Sequence, residues 1–289
     1  MSKAILMSKL KKNLYFLLAV ITVVACVVIP YITWHGTWFG RPLSDVELTE
    51  YLQDQEKSRR IQHALTQVAE RMERGDSSAA QWYEKVVGLS AHPASQVRVT
   101  TAWVMGQDPA FESFHKALIG MLQDDELLVR RNAALSLVRF ADNSGLKEIR
   151  AMLLPHSVKA PVDGDVDYLV SEGDEVHPGH SLVRLSRQGD VHEVHSRLSS
   201  SVLSLPISPG APVKAGTELL TLSPDAHHVW ESLRAIALVG GAGELELVNS
   251  IAEDFSFAPE VRSQATLTRE AIEKRLESQT MDPQTHRLE

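Results

Sequence analysis

The residues of this chain with the types to do chemistry are histidines, carboxylates and serines, and a concentration of all three lies between positions 163 and 201. His177 and His180 are three apart, as are His192 and His195. On a strand, positions three apart point to opposite faces, so neither pair is a ready chelate. His227 and His228 are adjacent and face different ways on a helix. There is no H-E-x-x-H, and Cys26 is the single cysteine, so no zinc motif and no intramolecular disulfide can be written. Asp163, Asp165, Asp167, Glu172, Asp174 and Glu175 form an acidic run. Its D-x-D-x-D start lacks the glycine and distal glutamate of a calcium loop. It reads instead as strand-exterior and turn carboxylates that keep a sheet edge soluble. Ser199, Ser200 and Ser201 stand outside any G-x-S-x-G, and no G-x-G-x-x-G or G-x4-G-K-[ST] occurs. Gly240-Gly241-Ala242-Gly243 has no strand before it and reads as an interhelix turn. The expectation is therefore no catalytic residue, no metal and no cofactor.

The elements that carry these residues repeat. Val166, Val170, Gly173, Val176, Gly179, Leu182 and Leu185 reappear 37 positions later as Leu203, Ile207, Gly210, Val213, Gly216, Leu219 and Leu222. The register fails only at the start, where Leu198 and Ser201 stand for Pro161 and Gly164. Short apolar-polar strands between Gly, Pro and Asp punctuation predict antiparallel β structure over 158–223. Gly173, Gly179, Gly210 and Gly216 are the predicted turn glycines.

The repeated phrase V-x2-G-x2-L-x2-L, preceded by an E-G-D-E-V turn, resembles the biotinyl/lipoyl-like family, a flattened barrel with halves related by a pseudo-twofold. The resemblance implies a β-barrel or sandwich. It also implies, in carriers, an acylated lysine on the hairpin joining the halves. Counting back from the second half places that position at Asp190, a carboxylate that cannot form the amide. Lys159 and Lys214 are far from the hairpin in sequence. The domain is thus similar to the non-carrier lipoyl-like domains of periplasmic adaptor, or membrane-fusion, proteins.

Helices flank the β segment. Ser44-x-x-Glu47 is a capping box, and Ile61, Leu65, Val68 and Met72 form a helical stripe. A second repeat has a period of 32: Val97-Arg98 with Ala102 recurs as Val129-Arg130 with Ala134. Turns at His92-Pro93-Ala94-Ser95 and Gln123-Asp124-Asp125 precede the two copies. Val261-Arg262 with Ala265 is a third, looser copy. This V-R-x3-A phrase resembles HEAT-type repeats. There the arginine, or the acid before it, ties neighbouring turns, and the alanine lets paired helices approach. Such units cannot bury their faces alone. The expectation is HEAT-like repeats over 44–155 and 224–277 that pack together, with the β domain inserted and a flexible tail over 278–289.

At the N-terminus, Leu14–Trp34 is a run of 21 residues without charge, long enough to span a bilayer. Lys3, Lys9, Lys11 and Lys12 precede it. The positive-inside bias predicts a cytoplasmic tail over 1–12, a transmembrane helix over 13–34 and the remainder outside the cytoplasm of a bacterial inner membrane. Val23-Val24-Ala25-Cys26 resembles a lipobox, but the apolar run continues past it. Net charge is −8, and with four lysines and no acid in the first twelve residues the rest of the chain carries −12, which argues against nucleic-acid partners.

The function expected is a single-pass, membrane-anchored, non-enzymatic scaffold. It would dock protein partners of a membrane or periplasmic complex through the helical repeats and the non-carrier β domain. The alternatives are a carrier or substrate-presenting subunit of an enzyme complex, or the adaptor of an efflux or secretion system. The absence of a hairpin lysine separates the first alternative, and the absence of an interrupting coiled-coil hairpin the second.

Overall fold

Ser44 opens the first helix through a reciprocal capping box: its Oγ accepts from the Glu47 N–H, and the Glu47 carboxylate accepts from the Ser44 N–H at 2.9 Å. The computed structural model describes residues 41–54 and 56–281, together with Val24, Cys26 and Val28. The chain divides after Gln67 into two units. In the first, helix α1 (Asp45–Leu52) buries Leu48 and Leu52, and the start of α2 (Ser58–Glu73) buries Ile61, Ala64 and Leu65. The Gln67 side chain joins them by accepting from the Leu43 N–H at 2.7 Å and donating to the Arg41 carbonyl at 2.5 Å.

The second unit begins within α2 and runs through α3 (Tyr83–Gly88), α4 (Ser95–Met105), α5 (Glu112–Met121), α6 (Leu127–Leu137) and α7 (Leu146–Ala151). After the strands come α8 (Ala226–Val239), α9 (Leu245–Glu253) and α10 (Pro259–Met281). Helices on the two sides of the β segment share one core. Ala134, Val138, Ile149 and Met152 pack with Val229, Leu233, Ile236, Val248, Ile251 and Ile272. Arg275 of α10 donates to the carbonyls of Ala237 and Gly240, satisfying the open end of α8. Helix α10 continues to Met281, so the polar stretch from Ser278 is helical through that residue, and the last eight residues lie outside those described.

Eight strands occupy the segment between α7 and α8: β1 (His156–Lys159), β2 (Gly164–Tyr168), β3 (Glu175–Val176), β4 (Ser181–Arg187), β5 (Asp190–His195), β6 (Ser200–Ser204), β7 (Pro212–Val213) and β8 (Glu218–Leu222). They form two antiparallel sheets, ordered β1-β8-β6-β3 and β5-β4-β2-β7. The shift of about 37 carries β1 to β5, β2 to β6, β3 to β7 and β4 to β8, and so converts one sheet order into the other. Both sheets contribute to a single core, with Val166, Leu182 and Leu185 from one and Val176, Val202, Leu220 and Leu222 from the other.

Two expectations are corrected here. The β domain is not a barrel. Its end strands β1 and β5 belong to different sheets, and β3 and β7 are two residues long, so nothing closes the sheets onto each other. The fold is mixed α/β, with two small antiparallel sheets set among helices. The second correction concerns the membrane. Among the described residues no helix is long and apolar enough to cross a bilayer. The longest, α10 at 23 residues, carries Glu260, Arg262, Arg269, Glu270, Glu273, Lys274, Arg275 and Glu277. The run Leu14–Trp34 lies outside the described residues except for Val24, Cys26 and Val28. A tally of uncharged residues is not by itself a spanning helix. The single-pass anchor and the inner-membrane and periplasmic placement built on it are withdrawn.

Candidate functional site

The two V-R phrases open α4 and α6, where Val97, Ala102, Val129 and Ala134 are fully buried. The arginines beside them repeat one geometry. Arg98 donates through Nη1 to the carbonyls of His92 at 2.8 Å and Pro93 at 3.2 Å. Arg130 donates through Nη1 to those of Asp124 at 2.7 Å and Asp125 at 3.2 Å. Each guanidinium thus ties down the turn before its own helix. Each also grips an acid further along: Arg98 holds Asp124 with two bonds of 2.7 and 2.8 Å, and Arg130 holds Glu148 at 3.1 Å. The Arg98 bonds hold the Asp124 carboxyl below the usual carboxylate range. Asp124 therefore belongs to both rungs, as acid to Arg98 and as carbonyl to Arg130.

The small residues allow close approach. A Cβ on Gly145 would lie 2.7 Å from the Ala134 Cα, and one on Gly106 would lie 2.7 Å from Ser136 Oγ. Ser136 Oγ bonds the Ala102 carbonyl at 2.8 Å, linking α6 to α4. The third phrase differs. Val261 and Ala265 are buried in α10, but Arg262 stacks on the Phe255 ring at 4.4 Å in place of an acid.

One face of these helices is open. Trp103 of α4 is 39% exposed, and Leu135 of α6, 32 positions later, is half-buried. The two copies are joined there by Arg139 Nη1 donating to Gln107 Oε1 at 3.0 Å. Next to them a groove of about 520 Å³ runs between α6 and α8. Leu135, Val138, Ala235 and Leu238 make its apolar lining, with Leu238 68% exposed, and Arg139, Glu231, Arg234 and Gln264 bring polar groups to it. No sequence motif marked this groove, because α8 is about a hundred residues from α6.

In the β domain the four turn glycines all take the left-handed conformation, with φ of 87° at Gly173, 88° at Gly179, 80° at Gly210 and 88° at Gly216. Their bonds are reciprocal. Gly173 donates to the Val202 carbonyl at 2.8 Å, and Gly210 to that of Val166 at 2.7 Å. The tip of the β4–β5 hairpin is Gln188-Gly189, with φ of 51° and 92°, as a type I′ turn requires. Asp190 is not at the tip: it starts β5, paired with Arg187. No lysine lies in this hairpin.

The acidic run is dispersed over separate contacts. Asp163 accepts from Arg187 at 2.8 Å and from the Ala215 N–H at 2.9 Å, Asp167 pairs with Arg184 at 3.3 Å, and Asp174 accepts from the Ser171 N–H at 2.8 Å. Among the described residues no three histidine, cysteine or acidic side chains are grouped to hold a metal.

Where the β domain joins the helices, Arg131 of α6 is 5% exposed with its Nε unpartnered. His156 of β1 and His228 of α8 lie in the same small pocket. Burial first, and the nearby Arg131 charge as well, pushes both imidazoles below their ordinary value, while Asp225 pulls His228 the other way.

No protein-family model matches the chain. No curated protein matches it. Among solved structures it is similar to a single-chain, multi-domain long-chain acyl-CoA carboxylase, at 20% identity over 44% of this chain. The match covers 14% of that protein and has a TM-score of 0.24, so it carries no argument about fold or activity.

Proposed function

We propose that this chain is a non-enzymatic scaffold that docks a protein partner on HEAT-like helical repeats, alongside a lipoyl-like domain of the non-carrier kind. The observation that carries the reading is the groove between α6 and α8, where an apolar lining with Leu238 standing exposed is edged by Arg139, Glu231, Arg234 and Gln264. An apolar stripe with polar flanks suits the face of an amphipathic helix. The arginine rungs hold α4 and α6 in fixed register, so the surface needs little ordering when a partner arrives. The hairpin supports the non-carrier part of the reading, since Gln188, Gly189 and Asp190 offer no amine to acylate.

The experiment is site-specific photo-crosslinking in cells with a photoreactive residue at Leu238, set against one at Pro209, exposed in the turn before β7. A discrete adduct with one protein from position 238 alone, lost on adding Arg234→Glu and Leu135→Glu, is the expected result. Equal, diffuse labelling from both positions overturns the reading. So does an intact mass of purified chain that carries lipoate or biotin.

A further inference from the structure

We propose that a second docking site lies in the cleft between β1 and β5, and that its occupant is an extended, carboxylate-rich segment of a partner protein, added as a strand to an open sheet edge. The cleft is independent of the helical groove and has a volume of about 440 Å³. Its two long walls are end strands: β1 pairs with β8 alone and β5 with β4 alone. Each therefore presents one row of backbone N–H and C=O groups without a strand partner. Five of the six β5 residues are exposed and none is proline, and the one irregularity in its pairing lies in β4, between Ser181 and Val183. Extended backbone is what such an edge recognises, because a peptide strand satisfies the row of donors and acceptors in register.

Charge selects the side chains. The chain carries −8 overall, yet this cleft gathers Arg130, Lys159 and Arg197 with His192 and His195. The single carboxylate among its lining residues is Glu193, and it is already engaged by Ser181 Oγ at 2.8 Å and Arg184 at 3.4 Å. Arg130 is likewise committed to Glu148 and two turn carbonyls. The side chains of Lys159 and Arg197 make no ion pair or hydrogen bond with a described residue, and both are exposed. A cationic cleft on an acidic molecule attracts a carboxylate-rich strand and repels a lysine-rich one.

The test uses the full chain and a fluorescently labelled, end-blocked heptapeptide of alternating Glu and Thr, followed by polarisation. Saturable binding is expected, weakened about tenfold or more by the Lys159→Glu, Arg197→Glu double variant, whose exposed positions leave the melting temperature in place. A peptide with Pro at alternate positions, which removes the strand's donors while keeping its charge, should bind at least about tenfold more weakly. Three results each overturn the proposal: no binding of the Glu/Thr peptide, equal binding of its Lys/Thr counterpart, or equal binding of the proline peptide. An oligothymidylate that binds as tightly as the Glu/Thr peptide also overturns it, since a general anion site needs no strand edge. Because the variants leave Leu135 and Leu238 untouched, crosslinking from the helical groove should persist, so the two sites fail separately.

Discussion

Arg98 is the residue whose removal should cost the helical repeats most among the exposed-face side chains. Its side chain and that of Asp124 are 15% and 12% exposed, and the pair is bidentate. Arg98→Ala strands a largely buried carboxylate and should cost about 2–3 kcal/mol in urea unfolding. The double variant with Asp124→Ala should recover part of that loss, with a coupling of about 1–3 kcal/mol. Additive single losses would mean that the pair is not coupled. The glycines give an ordered series. Gly145→Ala meets backbone at the Ala134 Cα and should cost about 1–3 kcal/mol. Gly106→Ala meets the Ser136 side chain and should cost less. Gly120→Ala, inside α5 with nothing within 4 Å, should stabilise by about 0.5–1 kcal/mol. Thermal melts of the three check the order, and a neutral Gly145→Ala would mean that α6 and α7 are less tightly apposed. The V-R spacing was readable in the sequence because the arginine's turn contacts are local and repeat at the same offsets. Its acid partners were not, because Asp124 follows Arg98 by 26 positions and Glu148 follows Arg130 by 18.

At the scale of elements, β1, α6 and α8 meet at the Arg131 pocket, and the meeting is sensitive to pH. His156 faces Arg131, Arg130 and Arg197, while His228 faces Arg131, His227 and Asp225. Both folded pKa values lie below the ordinary 6.5. The unfolded chain therefore takes up protons first as pH falls, and stability present above about 6.5 is lost below it. Melting temperatures between pH 7.5 and 5 should fall, and the His156→Gln, His228→Gln double variant should flatten that fall. An unchanged slope in the double variant would assign the effect elsewhere. For the β elements, periodicity marked the segment as antiparallel β structure and the glycines marked its turns, because a left-handed φ demands a particular residue. The position counted for the carrier lysine, Asp190, falls just past the Gln188-Gly189 tip, and the repeat slips by one: Gly164 begins β2 and Ser200, not Ser201, begins β6. Which strand pairs with which was not legible, since alternation places a side chain on a face and says nothing about the neighbour.

On the scale of the whole molecule, the shared core of α6–α10 makes the β segment an excursion from a helical body. Replacing residues 156–223 by a few glycines should leave a cooperatively melting helical protein, since β1 and β8 pair as His156 with Leu222 and so leave their outer ends adjacent. Ending the chain at Pro155 should instead expose Ile149, Met152 and Leu153 and cause aggregation. A soluble, sharply melting Pro155 truncation would show that the two helical arms do not depend on each other. The two arms' mutual packing is a long-range fact that local composition could only suggest through the third V-R phrase.

The β1–β8 pairing has a kinetic meaning as well. Neither half of the internal repeat can complete a sheet by itself, because each sheet draws two strands from each half. The domain must therefore collapse as a whole, through contacts distant in sequence, and should form more slowly than the helices around it. Until it does, α8–α10 trail on a long loose tether, and docking them carries the full entropy of closing that loop. Once the outer strands zip, the tether becomes a clasp a few ångströms wide. A lesion deep in the sheets, such as Val176→Asp, should then slow the burial of α8 against α6 without touching either helix.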